Sequence, residues 1–270
     1  MITDSEFNRI VVYVKSKYGI DLSKKRILVG GRLENYLARN GYANYDEYMA
    51  KVESEPNSAA ATDLINVLTT NHTYFMRESE HFDYLTSVVL PWAKVKAGRD
   101  RDLRVWSGAS STGEEPYTLA MVLMDYFGVE HAQWDTKVLA TDVSTRVLQH
   151  ATKGVYLKEA IEPLPSKWKQ RYFKALNAEE YKVTDELKKE VIFRQFNLMN
   201  PFPFKRRFHI VFLRNVMIYF EDDTKYELIR KIYEAMEPGG YLFIGTTESL
   251  DRRKTQFQYI QPSIYRKQGT

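Results

Sequence analysis

The sequence predicts an α/β protein in which an N-terminal all-helical domain precedes an open, largely parallel sheet that carries a small inserted β-subdomain. Up to about residue 70 the apolar residues recur at helical spacing, and after about residue 99 apolar runs alternate with helical segments. The chain has 270 residues, of which 44% are apolar, so it can fill two cores. We place the domain boundary between residues 75 and 76.

Three apolar stripes define the helical domain of residues 1–75. They are separated by breaks expected at Gly19, Gly41 and Pro56. The stripes consist of Phe7, Ile10, Val11 and Val14, then Leu33, Tyr36 and Leu37, then Leu64, Ile65, Val67 and Leu68.

Strands and crossover helices alternate in residues 76–270. Strands are predicted at 103–106, 137–140, 208–213 and 241–245, and helices at 116–127, 144–152 and 224–236. The last helix is expected to end at the Glu-Pro-Gly-Gly run of residues 237–240. Two alternating patches within residues 181–196 predict a hairpin, which belongs to a subdomain inserted near residues 160–196.

Composition excludes several classes of protein. The chain has no cysteine, which rules out disulfides, thiolate zinc sites and cysteine nucleophiles. No apolar run is long enough for a membrane span and no secretory signal opens the chain, so we expect a cytoplasmic protein. The net charge of +4 is too small to indicate nucleic-acid binding by itself, although residues 8–40 are locally basic.

The turn after the first predicted strand, in the stretch VWSGASSTGEEPYTLAM, has the chemistry of a cation site. Ligands of open parallel sheets lie at the carboxyl ends of the strands, and Gly108 and Gly113 would let the backbone approach one closely. The middle glycine of a dinucleotide fingerprint is missing, however, and Glu114 and Glu115 would repel a pyrophosphate. S-Adenosylmethionine has a positive sulfonium and no phosphate, and therefore fits better than NAD.

Asp142 ends the second predicted strand, where a carboxylate would bind the ribose of such a ligand. Two simpler readings stay open at this point. Asp142 would also serve as a helix cap, and the acidic pair would also be favoured by the helix dipole alone.

Five segments in order resemble the chemotaxis receptor methyltransferases of the CheR family. They are LTTNHTYFMRESEHF, WSGASSTGEEPYTLAM, LATDVSTRVL, FLRNVMIYF and EPGGYLFIGTTES. The resemblance covers nearly the whole chain. It implies a Rossmann-like methyltransferase sheet, S-adenosylmethionine as methyl donor, S-adenosylhomocysteine as product and an N-terminal domain that recognises receptors. The implied enzyme is a monomeric protein-glutamate O-methyltransferase without metal, acting in bacterial chemotaxis signalling on the cytoplasmic helical region of membrane chemoreceptors.

The resemblance also implies site residues. Besides Gly108 in the turn, the positions that match the family's donor contacts are Asn71, Thr73, Arg77, Glu115, Asp142, Asn197, Leu198, Arg214 and Asn215. The chain departs from the family pattern at His209, where an aspartate is usual, and at Thr246 and Thr247 before Glu248.

Methylation of a carboxylate needs no general base, because a glutamate is already ionised at neutral pH. Positioning is therefore expected to dominate catalysis. Arg77, at the junction of the domains, is our candidate for a clamp on the substrate carboxylate, unless it forms a structural interdomain salt bridge. Tyr219 is our candidate for orienting the methyl group or the attacking oxygen, unless it is an ordinary buried tyrosine.

For the receptor, Lys25, Arg32 and Arg39 are spaced by seven and would share one side of a helix. Gly30 and Gly31 are expected to interrupt that helix, and a solvated basic face without a partner is the alternative. The inserted hairpin would either grip a receptor tail or have no such role.

Three rival functions are weaker. A nucleic-acid amine methyltransferase needs an Asn-Pro-Pro-Tyr-like cluster after the fourth strand, whereas Asn200, Pro201 and Phe202 precede it. A donor-free docking domain would not need the polar residues at the donor positions. A dinucleotide oxidoreductase is opposed by the missing glycine and the acidic pair.

Overall fold

The computed structural model describes residues 2–55 and 58–269. The expected break at Pro56 lies outside these residues. Four helices form the N-terminal part: α1 (Asp4–Tyr18), α2 (Arg26–Asn40), α3 (Tyr45–Ser54) and α4 (Ala59–Leu68). Their apolar faces share one core, which contains all three predicted stripes.

Local signals set the limits of these helices. Thr3 caps α1 through a reciprocal pair of bonds with Glu6, and Gly19 ends it in the left-handed region at φ 73°. The expected interruption of α2 at Gly30 and Gly31 is wrong. Glycine costs about 1 kcal/mol in a helix but does not break it, and a side chain at Gly30 would come within 3.3 Å of Ile2. Helix α3 was not predicted.

The remaining chain contains eight helices and ten strands in the part that the structure describes. The helices are α5 (Glu80–Tyr84), α6 (Leu90–Lys96), α7 (Glu114–Phe127), α8 (Thr145–Lys153), α9 (Lys158–Ile161), α10 (Ser166–Tyr172), α11 (Asp185–Lys188) and α12 (Asp222–Ala235). The strands are β1 (Val105–Gly108), β2 (Val138–Asp142), β3 (Val155–Leu157), β4 (Phe173–Ala175), β5 (Glu180–Val183), β6 (Val191–Gln195), β7 (Phe208–Leu213), β8 (Met236–Ile244), β9 (Gln258–Gln261) and β10 (Ile264–Arg266). A π-helical turn at Leu85–Val89 joins α5 to α6, and 3₁₀ turns lie at Gly128–Gln133 and Met217–Tyr219.

The main sheet has seven strands in the order β6-β2-β1-β7-β8-β10-β9. The first five are parallel, and β10 and β9 add an antiparallel edge. The chain runs from β1 outward to β2 and β6, then returns to β7 on the other side of β1. The order of strands therefore reverses between β1 and β7, where ligands of such sheets bind.

The inserted β-subdomain exists, but the predicted hairpin of residues 181–196 is wrong. Residues 180–183 form β5, the middle strand of a separate antiparallel sheet of order β3-β5-β4. Residues 191–195 form β6, which pairs in parallel with β2 in the main sheet. Alternation marks both as half-buried strands, but it carries no information about which strand each one pairs with.

Helix α12 ends at Ala235, just before the Glu-Pro-Gly-Gly run of residues 237–240, as expected. That run does not form a separate cap, because β8 begins at Met236 directly after the helix. Gly240 makes this possible, since a side chain there would lie 2.8 Å from the carbonyl oxygen of His209 on β7. The two strands shift register at this point.

Among the described helices, none has the length and apolarity needed to cross a bilayer.

Candidate active site

A cavity of about 370 Å³ lies at the carboxyl end of β1, between the helical part and the main sheet. This size is within the usual range for small-molecule sites. One wall consists of the helical part with Ile20, Leu22, Leu28 and Leu68. The opposite wall comes from the sheet and the segments that follow its strands. Its predicted site residues are Glu115, Asp142, Arg214, Asn215 and Tyr219, and the segment between the walls supplies Asn71, Thr73 and Arg77.

The turn between β1 and α7 is strained. Ala109 and Ser111 have φ of 57° and 49°, a region that costs non-glycine residues energy and that clusters at functional sites. Both residues line the cavity. Neither Gly108 nor Gly113 is among the residues that line the cavity, and both allow close packing of protein on protein. Close approach of a ligand at these two glycines stays a prediction. A side chain at Gly108 would lie 3.0 Å from Leu213, and one at Gly113 would lie 2.8 Å from Ala151.

Asp142 is buried at the end of β2 and does more than cap a helix. One carboxylate oxygen accepts from the backbone N–H of Ser144 at the start of α8, and the other accepts from the N–H of Ser111 in the strained turn, each at 2.9 Å. Burial raises the pKa of this carboxyl group, while the backbone donors oppose the rise. Asp142 therefore ties the turn to β2 while also facing the cavity.

Arg214 lies between two glutamates in the cavity wall. Its Nε is 3.2 Å from Glu78 Oε2 and 3.5 Å from Glu115 Oε2. Burial raises the pKa of Glu115, and the charge of Arg214 opposes the rise. Glu115 also accepts from the hydroxyl of Ser107 at 2.7 Å. The arginine therefore holds the two carboxylates together in a nearly dry environment.

Arg214 retains capacity to donate. One guanidinium nitrogen donates to the backbone carbonyl of Arg77, but the buried Nη1 has no hydrogen-bond partner among the described residues. A buried donor without a partner is costly and needs an explanation. An acceptor group on a bound ligand would provide one, because Arg214 lines the cavity.

Glu248 fixes the loop that follows β7. Its carboxylate accepts from the backbone N–H groups of Asn215, Met217 and Gly245 at 2.6–2.9 Å. Asn215 is held at φ 55°, and its side chain donates to Glu78 at 3.2 Å. This arrangement presents Asn215 and the half-buried Tyr219 to the cavity. The backbone carbonyl of Tyr219 also accepts from the N–H of Asp21, which links the loop to the helical part.

Arg77 lies at the junction of the two parts, as expected, and lines the cavity. Its Nη1 donates to the carbonyl of His72 at 2.6 Å, and its guanidinium stacks on Tyr74 at 5.8 Å. No carboxylate in the described ranges lies within salt-bridge distance of Arg77, so the structure gives no interdomain salt bridge for it. Its charge is thus not neutralised by a direct ion pair.

Some predicted residues lie off the cavity wall. These are Gly108, Asn197, Leu198, Arg32 and Arg39. Asn197 donates to the carbonyl of Lys17 at 2.8 Å. Lys25, exposed at the start of α2, does line the cavity. Arg32 donates to the carbonyls of Leu68 and Thr69 at the end of α4, so its guanidinium is engaged within the protein.

Sequence reasoning missed several residues of the site. Glu78 and Glu248 lie within the family-like segments but have no pattern that marks their contacts. The apolar wall from Ile20 and Leu28 reads as ordinary core spacing. A cluster of acids or histidines suited to a metal ion was not found among the described residues.

The cavity suits S-adenosylmethionine in its chemistry. It offers a buried carboxylate at the end of β2, an unpartnered arginine donor, an acidic residue on the first turn of α7 and an apolar wall. Asp142 would hold the ribose, and Arg214 would hold the carboxylate of the amino-acid part. The absence of a phosphate-binding glycine turn argues against a dinucleotide.

Fold and site together define an S-adenosylmethionine-dependent methyltransferase. Residues 71–266 match the model of the CheR methyltransferase SAM-binding domain, and residues 5–69 match that of the CheR methyltransferase all-alpha domain. The chain belongs to the CheR methyltransferase family. S-Adenosylmethionine is therefore its cofactor.

Relatives cover almost the whole chain. A chemotaxis protein methyltransferase of Borreliella burgdorferi is 38% identical over 98% of this chain and 95% of its own. The one from Escherichia coli is 35% identical over 98% of this chain and 91% of its own. The crystal structure of the glycopeptide N-methyltransferase MtfA complexed with S-adenosylmethionine is 16% identical, covers 65% of this chain and 51% of its own, and has a TM-score of 0.35, too low to add to the assignment.

Proposed function

We propose that this methyltransferase acts in chemotaxis and methylates glutamate side chains of chemoreceptors, forming methyl esters and S-adenosylhomocysteine. The observation that carries the proposal is that Arg77 and Lys25, two cations without a direct carboxylate partner among the described residues, line the same cavity as the donor-binding acids. A carboxylate is the acceptor that such cations favour. The names of the relatives, chemotaxis protein methyltransferases, agree with this proposal.

The chemistry requires little from the protein beyond placement. S-Adenosylmethionine supplies an electrophilic methyl group on a positively charged sulfur. The acceptor carboxylate is ionised at neutral pH, so no residue has to remove a proton. Arg77 would orient the carboxylate, and Tyr219 would orient the methyl group or the attacking oxygen. Alignment of this kind supplies about 7–11 kcal/mol in well-oriented systems.

We propose that the helical domain, residues 1–75, binds the receptor. Lys25 at the cavity and Arg39 further along the exposed side of α2 are suited to an acidic receptor helix. Arg32 contributes less directly, because its guanidinium binds the end of α4. We propose a cytoplasmic enzyme that acts as a monomer on the cytoplasmic helical region of the receptors.

Nucleic-acid methylation is less well supported. Phe202 of the Asn-Pro-Phe sequence packs on the buried Trp106 at 5.3 Å between ring centroids, so this segment contributes to the core. It does not line the cavity.

The test is incubation with methyl-labelled S-adenosylmethionine and a receptor cytoplasmic fragment, followed by mild base. Labelled fragment that releases volatile methanol supports glutamate esters, because amide and amine methylation survive base. A fragment with its candidate glutamates changed to alanine is the matched control and should stay unlabelled. Base-stable label, or label transferred to added RNA instead, would overturn the proposal.

A further inference from the structure

One side chain of the helical domain binds the start of a helix in the sheet domain. Asn66, on α4, is only 7% exposed. Its Oδ1 accepts from the hydroxyl of Ser144 at 2.7 Å and from the N–H of Arg146 at 3.4 Å. Its Nδ2 donates to the hydroxyl of Thr145 at 3.2 Å. The amide thus engages three consecutive residues at the N-terminus of α8.

Ser144 connects this contact to the cavity. It is fully buried and is the N-cap of α8, where its hydroxyl accepts from the N–H of Val147. Its own backbone N–H donates to Asp142 Oδ1 at 2.9 Å. A continuous chain of hydrogen bonds therefore runs from Asn66 through Ser144 to Asp142, whose carboxylate faces the cavity.

Asn66 is not the only attachment between the two domains. On the side of β7, Lys15 pairs with Glu221 at 2.6 Å, Asn197 donates to the carbonyl of Lys17, and Ile20 bridges to Phe220. Loss of the Asn66 amide would leave these contacts in place. Its effect should therefore fall on α8 and Asp142 more than on domain docking.

We propose that Asn66 is a positioning residue for the cofactor: by holding the first turn of α8 it fixes Asp142, and it thereby couples docking of the helical domain to cofactor affinity. Coupling of this kind is reciprocal, so a bound cofactor also strengthens the docking of the helical domain. The inference rests on cofactor binding by the family and does not depend on which group receives the methyl. Asn66 is not among the residues that line the cavity, so its role differs from a direct contact with the donor.

The test is calorimetric titration of the full chain with S-adenosylhomocysteine. Asn66→Ala is expected to weaken affinity about tenfold, since it leaves the buried Ser144 hydroxyl without its acceptor. Asn66→Asp should restore affinity to within about threefold, because a carboxylate still accepts from Ser144 and Arg146 and suits a helix N-terminus. Asn35→Ala, which removes an exposed amide that donates to the carbonyl of Gly31, is the matched control.

A general loss of structure gives a different pattern. It would reduce the fraction of active protein without rescue by aspartate, whereas the positioning role predicts a raised KM for the donor with a smaller change in kcat. If Asn66→Ala does not fold, Ser144→Ala breaks the same hydrogen bond from its other end and should also weaken affinity for S-adenosylhomocysteine. Asn66→Ala, or Ser144→Ala in its place, binding within twofold of the wild type would overturn the proposal.

Discussion

At the residue scale, Arg77 is the clearest candidate for catalysis. Its guanidinium is held by the carbonyl of His72 and lines the cavity without a carboxylate partner in the described ranges. Arg77→Ala should lower kcat about 100-fold, because a misplaced acceptor loses alignment. Affinity for S-adenosylhomocysteine should fall much less. Single-turnover kinetics with receptor fragment and a parallel calorimetric titration measure both, and a kcat close to that of the wild type would exclude the clamp.

Two buried histidines predict how stability depends on pH. Burial and, to a smaller extent, the charge of a nearby arginine lower the pKa of His81 and of His209 to about 4. The groups facing His81 are Arg214, Glu78 and Glu80. In the unfolded chain these histidines have a pKa of about 6.5, whereas in the folded chain it is about 4. The free energy of unfolding therefore decreases as the pH falls from about 6.5 to about 4.

The histidine effect is measurable by urea unfolding. Each histidine should lower the free energy of unfolding by about 2 kcal/mol between pH 8 and pH 5. His81→Gln removes one titrating group and should therefore lose about 2 kcal/mol less than the wild type over the same range. An equal loss in both proteins would contradict the assignment to His81.

Sequence motifs predicted many residues of the site, but not the contacts between them. The structure brings three of the predicted residues, Asp142, Glu115 and Arg214, to one cavity. The sequence did not reveal the protein neighbours of Gly108 and Gly113, since a glycine requirement is the same for any close neighbour. Glu248 and Asn66 were missed because their partners are backbone groups or residues distant in sequence.

At the element scale, the end of α4 depends on α2. Arg32 donates to the carbonyls of Leu68 and Thr69, which have no helical donors of their own, and α4 leads directly to Asn71. Arg32→Ala should therefore reduce the free energy of unfolding by about 1–3 kcal/mol and also weaken binding of S-adenosylhomocysteine.

The control for Arg32 lies on the same helix. Arg39 is exposed on α2, and Arg39→Ala should change stability by less than about 0.5 kcal/mol. Denaturant unfolding of the two variants decides the matter. If both variants are as stable as the wild type but fail equally with receptor, Arg32 serves the receptor rather than α4.

Elements differed in how readily the sequence revealed them. Strands β1, β2 and β7 were found close to their true limits, because strands covered on both faces are continuous apolar runs. The assignment of β5 and β6 to one hairpin failed because partner choice depends on distant residues. Helix α3 was missed although Asn44 caps it, since its apolar residues include two tyrosines that also suit a surface.

At the scale of the whole molecule, the cavity needs both parts of the chain. Leu68 and Ile20 come from one part, and Asp142 and Arg214 from the other. S-Adenosylhomocysteine at 100 times its Kd should raise the free energy of unfolding by about 2.7 kcal/mol. It should also merge any separate melting of the helical part into one transition. Calorimetric scans with and without the compound provide the measurement, and a helical part that melts independently at saturation would contradict this expectation.

The wall contributed by α2 and α4 has a consequence for truncation. Residues 71–266 carry Glu115, Asp142, Arg77 and Arg214 of the cavity, yet a fragment limited to residues 71–266 would lack the apolar wall that the helical part supplies. Such a fragment would not be a self-sufficient cofactor binder. We therefore expect cofactor binding to require both domains in one chain. An exchange of one domain between relatives would also have to keep the residues on the two walls of the cavity compatible.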